Sequence, residues 1–133
     1  MSGVSATGGD SPPDGTLFRA DLELRETRGA EPGRAAVVSV TGDVDMHSQA
    51  RLRDVLTEAV TAPVQRVVLD LSGVEFMASA GVHVLLDVAG QLETAGGTLV
   101  VAGACSMVAR VLSLTRADEL VPVAATVDDA LAG

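Results

Sequence analysis

The sequence has no tryptophan and no tyrosine, and its only phenylalanines are Phe18 and Phe76. There are then no stacking platforms for nucleobases, and the core must be built from Val, Leu and Ala. Positive charge is also scarce. Nine Lys and Arg stand against eighteen Asp and Glu, a formal net charge of −9. Phosphate backbones are held by clustered cations, so nucleic acid is not an expected partner. A single cysteine, Cys105, cannot close an internal disulfide, which fits a reducing cytoplasm. No apolar run is long enough to cross a bilayer, and no basic segment followed by an apolar one marks a signal peptide. The P-loop, the G-x-S-x-G elbow, HExxH and the dinucleotide glycine pattern are all missing. A binding protein without a cofactor is expected, not an enzyme.

What is there is aliphatic. The 133 residues are 47% hydrophobic, enough for one domain with a single core. Residues 1–15 are rich in Gly, Ser, Pro and Asp and read as a disordered tail, leaving 16–133 as the domain. Residues 17–24 alternate apolar and polar, as a half-exposed edge strand does. Residues 27–34 carry Gly29, Pro32 and Gly33 and read as a loop. Val-rich residues 35–41 form a second strand, ended by Gly42. Ser48 reads as the N-cap of a helix whose buried stripe is Leu52, Val55, Leu56, Ala59 and Val60, stopped by Pro63. Residues 66–71 are strongly apolar, with Val67, Val68, Leu69 and Leu71, which predicts a central strand covered on both faces. A second helix runs from Ser79 to about Thr94, with Val82, Leu85, Leu86, Ala89 and Leu92 inward. Gly96 and Gly97 supply its left-handed stop. A strand over residues 98–102, a helix over 106–114, a short strand over 120–123 and a closing helical turn over 127–131 complete the chain. The expected fold class is α/β: a mixed sheet of about five strands, opening with an antiparallel hairpin and continuing with alternating helices and strands.

The stretch Leu69-Asp70-Leu71-Ser72-Gly73-Val74-Glu75-Phe76-Met77-Ala78-Ser79-Ala80-Gly81-Val82 is the most informative. It reads as a buried strand, a tight loop and a helix that opens on a small hydroxyl residue. Backbone N–H groups at a helix start lack intrahelical acceptors and carry partial positive charge. Ser79 reads there as an N-cap, where replacement by Ala typically costs about 1 kcal/mol. The same place tolerates an anion, including a phosphate on the serine itself.

Two motifs carry a family resemblance. Thr41-Gly42-Asp43-Val44-Asp45-Met46-His47-Ser48-Gln49-Ala50 is similar to the "TGELD…TA" segment of STAS domains, specifically the bacterial anti-sigma factor antagonists. The run from Asp70 to Val82 resembles their "DLS.V.FMDSSGL". The likeness spans about residues 17–131. It implies a partner switch. The antagonist binds an anti-sigma factor that is also a serine kinase, and so frees a sigma factor. Phosphorylation of one serine, here Ser79, ends the binding, and a phosphatase restores it. It implies a contact surface of Asp45, Met46, His47, Ser48, Ala78, Ala80, Gly81 and Val82 around Ser79, no cofactor on the antagonist itself, and a cytoplasmic monomer or weak dimer. The chain departs from the pattern at Ala78, where Asp is usual, at Ala80, where Ser or Thr is usual, and at His83 and Arg116, where Gly is common. The alternative is a constitutive STAS scaffold within a larger signalling or transport assembly.

Single residues also have plainer readings. Asp43 and Asp45 lack a partner acid or base for catalysis, so loop support is expected, with Asp45 shaping the turn beside Ser79. His47 and His83 have no third ligand at metal spacing and read as surface residues, His83 one turn along from Ser79. Gly81 lets a backbone or partner come close, or packs the helix on the sheet. Met77 and Cys105 are expected in the core.

Overall fold

The computed structural model describes residues 18–27, 33–62 and 64–132. The expected tail, residues 28–32 of the first loop and Pro63 lie outside the described residues. The elements are β1 (Arg19–Glu26), β2 (Arg34–Thr41), α1 (Gln49–Thr61), β3 (Arg66–Gly73), α2 (Ser79–Thr94), β4 (Thr98–Ala102), α3 (Ser106–Leu114), β5 (Val123–Ala124) and α4 (Val127–Ala132). A 3-10 turn at Ala117–Glu119 joins α3 to β5. The sheet order is β1-β2-β3-β4-β5. β1 and β2 are antiparallel, and the later pairs are parallel.

Each parallel step advances one strand in the same direction. Right-handed crossovers then place α1, α2 and α3 on one face. The main core bears this out. It joins Val38, Val40, Leu69, Leu71 and Val101 of the sheet to Leu52 and Leu56 of α1, Leu85 and Leu92 of α2, and Val108 and Leu112 of α3. The opposite face is smaller, with Ala35, Val37, Val68, Val100 and Ala102 meeting Ala130 and Leu131 of α4. Strand β3 is therefore central and covered on both sides, as its Val67, Val68, Leu69 and Leu71 require.

The α2 stop is a Schellman motif. Gly96 takes a φ of 87°. The Gly97 amide donates to Leu92 O at 2.7 Å and the Gly96 amide to Glu93 O at 3.0 Å.

Two boundaries and one buried face differ from expectation. β1 begins at Arg19 and extends to Glu26, paired in register with Arg34. β5 is only Val123–Ala124, because Pro122 has no N–H for the ladder and Leu120 turns out to solvent, 71% exposed. In α2 the buried side chains are Val82, Val84, Leu85, Val88 and Leu92, while Leu86 and Ala89 are only half covered. The buried face of α2 is set by its packing on the sheet and on neighbouring helices, which period alone does not show.

Candidate functional site

The site forms where the loop after β2 meets the loop after β3, at the C-terminal edge of the parallel strands. Ligand sites of open α/β sheets collect at this edge. Gly42, at φ 97°, turns the chain out of β2, and its amide donates to Gly73 O at 3.1 Å. Beyond it the Val44 amide donates to Phe76 O at 2.9 Å, and the Ala78 amide donates to Val44 O at 2.8 Å. These two bonds make a parallel bridge between Val44 and Met77, whose side chains are buried. The two sequence motifs are thus joined by backbone.

Asp45 shapes its loop, as expected. Its Oδ1 accepts the amides of His47 at 2.9 Å and Ser48 at 3.2 Å. Ser48 closes the turn from the other side. Its hydroxyl donates to Asp43 O at 2.8 Å and accepts the Asp45 amide at 3.1 Å. Ser48 does occupy the N-cap position of α1, but its side chain makes no cap hydrogen bond there. It is 2% exposed, so it lies beneath the surface it was expected to line. Buried, and with its proton and one lone pair engaged inside the loop, this hydroxyl is not presented to a partner.

At the start of α2 the N-cap is Ala78, with φ −82° and ψ 166° and no side-chain cap bond. Ser79 is the first helical residue, so the expected capping role is corrected. Its side chain is exposed and has no hydrogen bond among the described residues. The amides of Gly81 and Val82 both turn back to Ala78 O, at 2.9 and 3.3 Å. Those of Ser79 and Ala80 have no acceptor among the described residues. A hydroxyl there stands beside free N–H groups and the positive end of a helix.

The expected contact residues divide into two sets. Met46 and His47 are exposed just beyond Val44, and Ser79 is exposed just beyond its bridge partner Met77, while Asp45, Ala78 and Ala80 are half-buried. Gly81 and Val82 are buried and, like Ser48, frame the surface from below. Gly81 packs against a side chain of the neighbouring loop. A Cβ on it would lie 2.5 Å from Val44 Cγ1 and 3.1 Å from Met77 Cγ. His83 is exposed four residues after Ser79 and shares its helix face.

Phe76 is a residue the sequence reading missed. It is 42% exposed at the rim, between Glu75 and the buried Met77. No periodicity marks it: Glu75 and Phe76 are exposed in succession between buried Val74 and Met77. Cys105, expected as core, is half-buried at the N-cap of α3, where its Sγ–H donates to Val74 O at 3.4 Å. It ties the loop after β4 to the loop after β3. Among the described residues no group of three His, Cys, Asp or Glu could hold a metal ion, and no helix is long and apolar enough to cross a membrane.

Known proteins place this architecture. The STAS domain family matches residues 22–130. The chain is 31% identical over 104 residues to "Anti-sigma-F factor antagonist RsfB" of Mycobacterium tuberculosis, covering 78% of this chain and 84% of that one. An anti-sigma factor antagonist from Mycobacterium paratuberculosis superposes with a TM-score of 0.71 at 30% identity, over 92% of this chain and 96% of its own. The anti-sigma factor antagonist SpoIIAA shares the fold. Its unphosphorylated form has a TM-score of 0.68 at 20% identity, over 84% of this chain and 92% of its own. Its phosphorylated form gives 0.62 at 19%, over 84% and 96%. With its sheet order, its joined loops and a match over most of its length, the chain belongs to the STAS domain family.

Proposed function

We propose that this chain is an anti-sigma factor antagonist that docks on an anti-sigma factor serine kinase and is released when that kinase phosphorylates Ser79. The observation that carries the reading is the exposed, unpartnered Ser79 hydroxyl on a start of α2 held in place by the Val44 bridge. The names of the relatives support the partner class, and SpoIIAA exists in both an unphosphorylated and a phosphorylated form.

The physics of the switch is local. Phosphorylation adds roughly −1.5 to −2 charge at neutral pH. The free amides of Ser79 and Ala80 and the helix dipole accept that charge, so the fold survives. A partner pressed over Ser79 must instead bury a dianion, and docking is lost without unfolding. Met46 and Phe76 supply the apolar contact beside the hydroxyl, and Asp43, Asp45 and Glu75 give it an acidic rim suited to a basic partner surface. The partner brings ATP; the antagonist itself needs no cofactor. A phosphatase completes the cycle, in the cytoplasm.

Capture from native lysate tests this. Immobilised wild type retains an anti-sigma factor kinase and Ser79→Asp does not. Equal retention by both contradicts the reading.

A further inference from the structure

A groove of about 410 Å³ lies between the C-terminal half of α2 and the turn that leads into β5, at the far end of the helix from Ser79. Leu86, Ala89, Leu99, Leu120 and Pro122 give it an apolar side. Glu93 and Glu119 also line it, both exposed, and no Arg, Lys or His does.

Three further observations converge on it. Gly90, in the interior of α2, lines the groove, and a Cβ on it would meet nothing within 4 Å. Glycine inside a helix is destabilising relative to alanine, and no packing in the described chain needs the space. Leu120 is 71% exposed, an aliphatic side chain left among the residues that line the groove. The ladder to β5 is also incomplete here. The Thr98 amide donates to Gln65 O on the β3 side at 3.1 Å, and the Val101 amide to Pro122 O on the β5 side at 2.9 Å. By strand alternation the Leu99 N–H and C=O face the β5 side. Pairing with β5 begins only at Val101, and Pro122 has no N–H to offer the Leu99 carbonyl.

We propose that this groove binds a short extended segment of a partner protein. An aliphatic side chain of that segment sits over Gly90 beside Leu86 and Leu120. An adjacent arginine or lysine meets Glu93 and Glu119. Charge selects the occupant: two carboxylates with no cation among the lining residues favour a basic segment and repel an acidic one. The site is separate from Ser79 and does not depend on the phosphoswitch.

The test is a titration of the ¹⁵N-labelled full chain with acetyl-Arg-Leu-Val-Arg-amide, followed by amide shifts. Saturable shifts confined to Gly90, Gly97, Leu99 and Leu120 are expected, with none from the peptide in which both arginines are glutamate. Gly90→Phe, which fills the groove, abolishes them. Glu93→Gln combined with Glu119→Gln weakens binding about fivefold. Gly90→Ala raises Tm and weakens binding, and it carries the steric test if the Phe variant does not fold. The proposal is overturned if wild type shows no saturable shift, if the acidic peptide binds equally, or if binding is unchanged by Gly90→Ala and by the double Gln variant.

Discussion

Gly81 lies so close to Val44 that a Cβ added to it would sit 2.5 Å from Val44 Cγ1. The first turn of α2 is pressed against the loop after β2, and that contact sets the position of Ser79 relative to Met46 and His47. Gly81→Ala forces Val44, which is fully buried, out of its place. Overpacking of this kind costs about 1–3 kcal/mol, offset in part by about 1 kcal/mol of helix propensity. The expected result is a net loss of up to about 2 kcal/mol in urea unfolding. Val44→Ala in the same chain makes room for the new methyl. The double variant should therefore lose less than the sum of the singles. Strict additivity would contradict the contact.

Ser79 is exposed and makes no cap bond, so its removal should leave stability almost untouched. Ser79→Ala is expected to change unfolding free energy by less than about 0.5 kcal/mol. Ser79→Asp places a carboxylate at the positive end of α2 and should add about 0.3–1 kcal/mol at low salt, fading as salt is raised. Thermal melts at two ionic strengths measure both. A loss near 1 kcal/mol for Ser79→Ala would restore the capping role that the structure removes.

Ala78 occupies the N-cap of α2 with the extended backbone that a capping side chain needs, yet it has no oxygen to use. Ala78→Asp supplies an acceptor for the unpaired amides of the first turn. A gain of about 0.5–2 kcal/mol is expected in chemical denaturation. No gain would mean that those amides are already satisfied.

Arg116 holds a left-handed backbone, φ 63° and ψ 18°, the one non-glycine residue with positive φ among the described residues. The left-handed region costs an ordinary L residue about 1–2 kcal/mol. Arg116→Gly relieves that cost but enlarges the freedom of the unfolded chain, so a net gain of about 0.5–1 kcal/mol is expected. Arg116→Val, with a branched Cβ, should lower Tm. The reverse order of the two melts would rule out backbone strain as the cause.

Much of this fold is visible in the sequence because each element carries an aliphatic stripe at its own period. The stripe Leu52, Val55, Leu56 and Ala59 marks α1, and the run Val67, Val68, Leu69 followed by Leu71 marks a strand covered on both faces. The resemblance to STAS domains added the pairing of the two motifs, which no local pattern contains. What escaped were consequences of tertiary contact. Ser48 is a polar residue at a helix start, a pattern that points to capping. Its hydroxyl is instead engaged inside the loop by Asp43 O and the Asp45 amide, which the linear pattern does not contain. Val84 and Val88 are buried by the packing of α2 on the sheet and on neighbouring helices, which leaves Leu86 and Ala89 beside the groove. Leu120 looked like strand because it is aliphatic, but Pro122 and the preceding 3-10 turn keep it out of the ladder.

The reading stands or falls on whether charge at Ser79 governs docking. The direct measurement is calorimetric titration of the captured anti-sigma factor kinase with the chain before and after incubation with that kinase and ATP, with mass spectrometry locating the phosphate. The account predicts one phosphate, on Ser79, and an affinity lower by about 100-fold or more, with the melting transition preserved. A chain that carries phosphate on Ser79 and binds as tightly as before, or one that is released while Ser79 stays unmodified, contradicts it.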